Sequence, residues 1–318
     1  MTAAAPGPTV LVVGEALVDV VPTPAGPSLA RAGGSPANVA VGLARLGVPV
    51  HLLTRYGTDP HGALLAEALA SNGVGVVLEP DALPTGVAVA TLGPQGHARY
   101  DVQLDWQLPA DLCASGRPPA TASHLHTGSL AAILTPGARE VRQLVEQLRA
   151  STSVSYDPNC RPAQMGAVED VRPQVEAFVA ASDIVKASAE DVRWLYPARD
   201  LRSVAADWLA AGPALVVVTR GARGAYALAR GGAVEVPAPR VSVVDTVGAG
   251  DAFLAALLAA FAARGLLGVA ARAALAAVDA GIVRASLVHA AAAAALTCEW
   301  PGAQLPSAAE LPGVVRRG

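Results

Sequence analysis

One short turn carries the residue types that phosphate chemistry needs. It reads Asp245-Thr246-Val247-Gly248-Ala249-Gly250-Asp251, follows a β-branched run and opens an apolar stretch at helical spacing, Ala252 to Ala263. Its two glycines let the backbone turn tightly and let a ligand approach it closely. The free N–H groups of Gly248, Ala249 and Gly250 are then expected at a helix N-terminus, where unpaired donors and the helix dipole attract anions.

Asp251 falls in the first turn of the same predicted helix, beside any phosphate bound at its end. A carboxylate at that point repels a phosphate, and one reason to place it there is to take a proton from a hydroxyl that attacks the phosphorus. The alternative interpretation is that Asp251 only caps the helix, because acidic residues favour first turns. The turn alone leaves both interpretations open.

The elements that must position this turn alternate between strand and helix. Val10 to Val13 is predicted as a short buried strand, and Ser35 to Leu46 as a helix, with Ser35 as its cap and Pro36 in its first position. Further predicted strands are Pro49 to Thr54, Val154 to Tyr156, Ile184 to Lys186 and Leu215 to Thr219, and His61 to Asn72 is a second predicted helix. This alternation predicts one α/β domain over residues 1–318, with a doubly wound, mainly parallel sheet flanked by helices.

Residues 86–104 depart from that alternation. Side chains alternate between apolar and polar on both sides of a Gly93-Pro94-Gln95-Gly96 turn, which predicts an antiparallel hairpin. Together with Val18 to Leu29 this hairpin could form a small separate β-sheet. We predict that it acts as a lid, formed by about 15–32 and 86–106.

Polar residues follow several of the predicted strands. In a parallel sheet, ligands bind at the carboxyl ends of the strands, so these residues are expected to lie near one another. They are Asp19, the run Asp157-Pro158-Asn159-Cys160-Arg161, Lys186 and Thr219, and the run Gly33-Gly34-Ser35-Pro36-Ala37-Asn38 adds an amide one turn into a helix. His124 and His126 alternate in another predicted strand and are either metal ligands or strand residues near the edge of the sheet.

Composition excludes several classes of protein. Of 318 residues, 53% are hydrophobic and 15% charged, and the net charge of −3 gives no reason to seek a polyanion, so nucleic acid is not an expected partner. Three widely spaced cysteines indicate a reducing, cytoplasmic location without disulfides. No membrane span is expected, because charged or polar residues interrupt the most apolar stretch at Arg264, Arg272, Asp279, Arg284 and His289. The glycine-rich loops of P-loop and dinucleotide-binding proteins are also missing from the sequence.

Five motifs, taken in order, resemble those of the PfkB/ribokinase family of carbohydrate kinases, and most closely its fructokinase branch. They are Gly14-Glu15-Ala16-Leu17-Val18-Asp19, Gly33-Gly34-Ser35-Pro36-Ala37-Asn38, Gly57-x-Asp59-x-x-Gly62, Asp157-Pro158-Asn159-Cys160-Arg161-Pro162 and Asp245-Thr246-Val247-Gly248-Ala249-Gly250-Asp251. The last is the most specific of the five. The resemblance covers nearly the whole chain and implies a ribokinase-like fold.

The resemblance implies ATP-dependent transfer of the γ-phosphoryl group to a primary hydroxyl of a monosaccharide, with fructose favoured. Asp251 would be the base, and the amides of Gly248, Ala249 and Gly250 would stabilise the transferred phosphoryl group. The residues implied for the sugar are Asp19, Gly33, Gly34, Asn38 and Arg161. Those implied for the nucleotide are Lys186, Thr219, Gly221 and Gly224. A homodimer that forms through the lid is a further expectation.

Mg²⁺ is the implied divalent ion, and the sequence departs from the family pattern around it. Ser188 and Asp191 occupy positions where the family often has Asn-x-x-Glu, so Asp191 or Glu190 would hold the ion through water. Pro306 replaces a serine that contributes to a monovalent-cation site in ribokinase-type members. Asp245 is then the remaining side-chain candidate for such a cation, and activation by potassium stays open.

Other functions remain open at this point. A 2-keto-3-deoxygluconate kinase is the alternative within the family, followed by a ribose or nucleoside kinase. A non-catalytic sugar-binding protein is the alternative from a different class. It predicts decay of the catalytic turn, yet Asp251 and both glycines are present.

Overall fold

The computed structural model describes residues 8–23, 26–92, 98–109, 112 and 122–311. Its strands are β1 (Thr9–Val13), β2 (Leu17–Thr23), β3 (Gly26–Gly33), β4 (Val50–Leu53), β5 (Gly75–Val76), β6 (Gly86–Leu92), β7 (Ala98–Gln103), β8 (Ala122–Gly128), β9 (Ser153–Asp157), β10 (Ile184–Ser188), β11 (Leu215–Thr219), β12 (Ala225–Ala229) and β13 (Gly232–Val236). Its helices are α1 (Ser35–Arg45), α2 (Pro60–Ser71), α3 (Gly137–Leu148), α4 (Pro162–Met165), α5 (Val168–Ala181), α6 (Ala189–Leu195), α7 (Leu201–Ala211), α8 (Ala249–Ala263), α9 (Arg272–Ala276) and α10 (Ala280–Cys298).

The main sheet confirms the predicted α/β architecture. Its strand order is β13-β12-β11-β10-β9-β8-β1-β4-β5, with parallel pairing from β11 to β5 and antiparallel pairing for β12 and β13. The parallel strands are buried on both faces, as their continuous apolar runs predict. Their carboxyl ends therefore share one edge of the sheet.

Each face of the main sheet has its own hydrophobic core. Helices α1, α2, α8 and α10 cover one face, and α3, α5, α6 and α7 cover the other. Helix α8 is buried along almost its whole length and packs against α1 and α10. Its alanine and leucine side chains allow that close packing, so the position of its N-terminus is fixed from several sides.

Four strands form a second sheet, which we call the small sheet, in the order β3-β2-β6-β7. Strands β6 and β7 form the predicted antiparallel hairpin, and β2 pairs parallel with β6. The predicted turn at residues 93–96 lies outside the described residues. The described strands of the small sheet cover 17–23, 26–33, 86–92 and 98–103.

The alanine-rich run at 290–295 lies in α10, which packs on α8 as a core helix. By length and composition alone α10 could also cross a membrane, but 50% of that window is buried inside the fold. Cys160 and Cys298 are free thiols, and Cys113 lies outside the described residues.

The prediction that His124 and His126 lie near the edge of the sheet is wrong. Both are on β8, which lies between β9 and β1 at the centre of the main sheet. Their rings contact the hydroxyls of Ser153 and Ser155 on β9, at distances between 2.7 and 3.0 Å. Burial lowers the pKa of both histidines to about 3, so they are neutral core residues. The described residues hold no cluster of three or more metal-ligating side chains.

Candidate active site

A cavity of about 280 Å³ lies between the small sheet and the carboxyl ends of the main sheet. The small sheet contributes Leu17, Asp19, Ala88 and Val102 to its wall. The main body contributes polar residues from three loops and from the N-termini of α1 and α8. The lining includes Asp19, Gly34, Asn38, Arg161, Gly248, Gly250 and Asp251 from the sequence-predicted site, together with Glu15, Ser35, Ser129, Asn159, Gln164, Thr246 and Val247.

Asp251 lies in the first turn of α8 and is held from α1. Its Oδ1 accepts a hydrogen bond from the Ser35 hydroxyl at 2.7 Å, and its Oδ2 accepts one from Asn38 Nδ2 at 2.8 Å. The residue is 7% exposed but lines the cavity. Each carboxylate oxygen keeps a further lone pair, so the group can still accept a proton from a ligand hydroxyl.

The prediction that Ser35 caps its helix is wrong. The N-cap of α1 is Gly34, whose φ of 97° suits a glycine, and no side chain caps the helix end. Ser35 is instead the first residue of α1, and its hydroxyl is aimed at Asp251. Ser35 and Asn38 are three residues apart, so they share one face of the helix and reach the same carboxylate.

The N-terminus of α8 leaves backbone donors open, as the sequence predicts. Gly248 is its N-cap in the left-handed conformation, with φ 79°. The N–H groups of Gly248 and Gly250 have no acceptor among the described residues, and Ala249 N makes only a long 3.3 Å bond to the Thr246 carbonyl. A Cβ on Gly248 would come within 2.8 Å of the Ala303 backbone, so this position requires glycine. Open amides at a helix N-terminus form an anion site.

Asp19 projects from β2 of the small sheet, and the two glycines before α1 make room around it. A side chain on Gly33 would collide with the Asp19 carboxylate, and one on Gly34 would collide with the Glu15 carbonyl. Burial, and then the negative charge of Asp251, raise the pKa of Asp19 to about 6, while Arg161 opposes the shift. Asp19 and Asp251 therefore form a like-charged pair across one cavity, a common arrangement at functional sites.

Arg161 brings a guanidinium to the same cavity. Its Nη1 donates to the carbonyls of Asn159 and Cys160, both at 3.1 Å, and no acidic side chain among the described residues forms an ion pair with it. It is exposed, so it can meet a ligand that enters from solvent.

Lys186, predicted to bind the nucleotide, lies beneath the N-terminus of α8. Its Nζ donates to Asp157 Oδ2 at 2.7 Å, and the two side chains are 4% and 2% exposed. A Cβ on Gly250 would lie 3.0 Å from Nζ, so the ammonium is directly next to the anion site. Burial raises the pKa of Asp157 to about 6 against the opposing charge of Lys186, whose own pKa is raised above its usual value by Asp157. The pair is ionised at neutral pH, with its charge confined to the interior.

Asp191 and Glu190, the predicted water-mediated metal residues, are not in the wall of the cavity. Asp191 is 5% exposed, and its two oxygens accept the N–H groups of Cys160 and Ser188, both at 2.7 Å. The Ser188 hydroxyl accepts from Asp191 N, which completes a capping box at the start of α6. Glu190 is exposed and keeps its carboxylate open to solvent.

Asp245 ties two loops together beside the anion site. Its Oδ1 accepts from Val247 N at 3.0 Å, and its Oδ2 accepts from Gly302 N at 2.8 Å. Pro306 is buried, and the hydroxyl of the next residue, Ser307, donates to Glu310 at 2.6 Å. No serine hydroxyl is therefore directed from this segment to Asp245.

Thr219, Gly221 and Gly224, predicted for the nucleotide, lie where β11 turns into β12, outside the lining of the cavity. Gly221 has φ 54°, and a Cβ added there would meet no atom within 4 Å, whereas a side chain on Gly224 would collide with the Val236 carbonyl. Gly224 is thus needed for the packing of β13. Gly221 leaves open space that a ligand could approach.

Sequence reasoning missed four polar residues of the cavity: Glu15, Ser129, Asn159 and Gln164. Glu15 and Asn159 stand inside motifs that the sequence analysis singled out, at a strand end and after a strand. Ser129 follows β8, a strand in which the two histidines are the more conspicuous residues. Glu15, Ser129 and Asn159 share one signal, a polar residue within two positions of a buried strand end. Gln164 lies in α4 and has no such signal.

The chain matches the model of the pfkB family carbohydrate kinases over residues 8–310 and belongs to that family. It is therefore a carbohydrate kinase, a phosphotransferase whose acceptor is a sugar hydroxyl. Among its relatives, a fructokinase from Rhizobium leguminosarum bv. trifolii is 36% identical over 269 residues, which cover 81% of each chain.

Solved structures show the same fold. A fructokinase from Xylella fastidiosa with bound ATP has a TM-score of 0.84 at 29% identity, with 95% of this chain and 96% of that chain covered. A variant of a fructokinase from Vibrio cholerae O395, solved with fructose, ADP and a potassium ion, has a TM-score of 0.78 at 26% identity, with 96% of this chain and 95% of that chain covered. The Vibrio cholerae enzyme has also been solved with fructose, ADP and calcium.

Proposed function

We propose that the protein transfers the γ-phosphoryl group of ATP to a primary hydroxyl of fructose. The observation that carries the proposal is the position of Asp251, which borders the cavity beside the open amides of Gly248 and Gly250. A base and an anion site on the same helix end are what phosphoryl transfer to a hydroxyl requires. The fructokinase relatives support fructose as the acceptor.

In the proposed reaction the sugar hydroxyl lies near Asp251, and the γ-phosphate lies at the N-terminus of α8. A bond forms between the hydroxyl oxygen and the γ-phosphorus, while the bond to the bridging oxygen of ADP breaks. The hydroxyl proton passes to Asp251, which Ser35 and Asn38 hold in place. The amides of Gly248, Ala249 and Gly250 stabilise charge on the phosphoryl oxygens.

On the sugar side, Asp19, Gly33, Gly34, Asn38 and Arg161 form the proposed binding set. Asp19 accepts hydrogen bonds from sugar hydroxyls when it is ionised, and the two glycines keep space beside it. Asn38 Nδ2 donates one hydrogen to Asp251, which leaves its second hydrogen and its carbonyl oxygen for the ligand.

The donor set around the site fits a metal ion that is held mainly by phosphates. Mg²⁺ commonly keeps several waters and binds through substrate phosphates with few carboxylates. Both oxygens of Asp191 already accept backbone N–H groups, whereas the carboxylate of Glu190 is open to solvent. We therefore favour Glu190 as the residue that would hold a metal-bound water, and Mg²⁺ would neutralise the triphosphate charge when bound.

A 2-keto-3-deoxygluconate kinase is the second candidate. Arg161 borders the cavity and forms no ion pair with an acidic side chain of the described residues, and such an arginine suits the carboxylate of an acidic sugar. Fructose has no carboxylate that could bind there. The acceptor panel below separates the two candidates.

The test is to mix the protein with Mg-ATP and each of fructose, 2-keto-3-deoxygluconate, ribose and a nucleoside, and to measure ADP. We expect fructose to give the highest kcat/KM. A higher value for another acceptor would refute fructose, and ADP no faster than the sugar-free control with every acceptor would favour a non-catalytic sugar-binding protein.

We also infer a homodimer through the small sheet and a location in the cytoplasm. The cross-strand neighbours Val21 and Leu29 are 37% and 43% exposed on the small sheet, an apolar pair that a second copy would cover. Sedimentation of the wild type and of Leu29→Lys tests the dimer, since the wild type should sediment as a dimer and Leu29→Lys as a monomer. Free thiols such as Cys160 suit a reducing compartment, and fractionation of cells tests that location.

A further inference from the structure

Two strained residues meet in the wall of the cavity. Among the described residues, Ser129 and Asn159 are the only non-glycine residues with positive φ, at 56° and 37°. Asn159 Nδ2 donates to Ser129 Oγ at 3.2 Å, so the two residues contact each other. Backbone strain of this kind persists where the surrounding structure enforces it, and it clusters at ligand sites.

A buried carboxylate stands behind this pair. Glu15 is 2% exposed, its Oε2 accepts from Ala131 N at 2.9 Å, and it hydrogen-bonds the Ser129 hydroxyl. Burial raises the pKa of Glu15 to about 7, and the hydrogen bond with Ser129 opposes that shift. While Glu15 is ionised it can only accept, so the Ser129 hydroxyl then donates to it. The Ser129 oxygen is then an acceptor toward Asn159.

The direction of these hydrogen bonds fixes the orientation of the Asn159 side-chain amide. Because Ser129 Oγ accepts from it, the amide nitrogen of Asn159 faces Ser129, and its Oδ1 has no partner among the described residues. Asn159 borders the same cavity as Asp19 and Asp251. A directed amide with a free acceptor in a sugar-sized polar cavity is suited to a ligand hydroxyl.

We propose that Asn159 binds a hydroxyl of the acceptor sugar through Oδ1, and that Glu15 and Ser129 are positioning residues that fix the direction of its amide. The inference rests on the proposed function, because it places a further contact on the acceptor in the same cavity. It adds three residues to the site that the phosphoryl-transfer chemistry itself does not use.

Three variants test the row of hydrogen bonds, one at each of its residues. Asn159→Ala removes the contact. Ser129→Gly removes the hydroxyl at a position where glycine tolerates the positive φ, so the fold should be kept. Glu15→Gln keeps the shape of the side chain, but its amide group can donate to Ser129 and so reverse the direction of the hydrogen bonds. Ser151→Gly, at an exposed serine bonded only to the Leu148 carbonyl, is the matched control.

We expect kcat/KM for the sugar to fall about tenfold in all three variants and to stay unchanged in the control, since one hydrogen bond is lost or misdirected. The KM for ATP should stay within about twofold of the wild type. The double variant Ser129→Gly/Asn159→Ala should be no worse than Asn159→Ala alone, because Ser129 acts through Asn159. Additive losses in the double variant, or an Asn159→Ala enzyme with more than half of the wild-type kcat/KM, would overturn the proposal.

A second measurement keeps this inference separate from the proposed function. The Asn159 side-chain amide signals, assigned by their loss in Asn159→Ala, should exchange faster in Ser129→Gly and shift in Glu15→Gln. If none of the acceptors makes the wild type form ADP faster than the sugar-free control, the proposed function fails. The amide signals still decide whether Glu15 and Ser129 position Asn159. Signals that are unchanged in both variants would refute the positioning role.

Discussion

Removal of the Lys186 ammonium should destabilise the protein mainly at high pH. Lys186→Met leaves the Asp157 carboxylate 1% exposed without its ion-pair partner. Breaking a buried pair in this way costs about 3–5 kcal/mol. With an unfolding entropy of about 2.1 cal/mol/K per residue over the 318 residues, that loss corresponds to a fall in Tm of about 6 °C.

The pH dependence of this loss of stability follows from the direction in which the pKa of Asp157 shifts. Burial already raises the pKa of Asp157 to about 6, and loss of Lys186 raises it further. A carboxyl group with a raised folded-state pKa contributes stability at low pH, and this contribution is lost as pH rises through that pKa. The deficit of Lys186→Met relative to the wild type should therefore be small at pH 5 and full at pH 8.

Thermal unfolding by circular dichroism at both pH values is the assay. Lys186→Met/Asp157→Asn is the matched control, because asparagine is neutral and can still accept the N–H of Asn159 that Asp157 Oδ1 accepts. It should recover most of the lost Tm at pH 8. A Lys186→Met protein with the wild-type Tm at pH 8, or with equal deficits at both pH values, would refute the buried ion pair.

Three further perturbations probe the sugar side, the anion site and the cations. The kcat/KM for the sugar should fall as pH drops through about 6, because Asp19 must be ionised to accept hydroxyls, and a profile with the same acid limb in Asp19→Asn would contradict this. Gly248→Ala should lower Tm by several degrees, since its Cβ meets the Ala303 backbone at 2.8 Å. Gly250→Ala approaches only Lys186 Nζ, at 3.0 Å, and should lower Tm less while losing activity; equal Tm values would contradict the difference. EDTA should abolish activity, and exchange of K⁺ for Na⁺ should change the rate only a few-fold because Pro306 offers no side-chain oxygen; a hundredfold loss would contradict that expectation.

The catalytic turn could be predicted from sequence because its information is local. Gly248, Gly250 and Asp251 lie within four positions, and the change from strand to helix around them is visible in the spacing of apolar residues. The same holds for the hairpin of β6 and β7, whose alternating residues border one turn.

Contacts between distant segments could not be predicted in this way. Asp251 is held by Ser35, 216 positions away, and Lys186 pairs with Asp157 on a neighbouring strand. Both contacts depend on strand order and register, which local patterns do not encode. For the same reason the sequence pattern around His126 suggests an edge strand, although β8 is central.

Asp191 shows a different limit. Its spacing from Ser188 fits a capping box as well as a metal-site motif, and the sequence alone does not separate the two. In the structure both of its oxygens accept backbone N–H groups. The metal role of this position stays a prediction, to be tested by comparing Asp191→Asn and Glu190→Gln in their dependence on Mg²⁺ concentration.

The most direct test of Asp251 as the base is the single-turnover rate of phosphoryl transfer in Asp251→Asn with saturating Mg-ATP and the best acceptor of the panel. Asparagine keeps the shape of the side chain and can still accept from Ser35 or Asn38, but it cannot take the hydroxyl proton. We predict a fall of ~10² or more in this rate, with ATP binding nearly unchanged. A variant that keeps more than about a third of the wild-type rate would contradict this prediction, and Asp251 would then serve only to join α8 to α1 through Ser35 and Asn38.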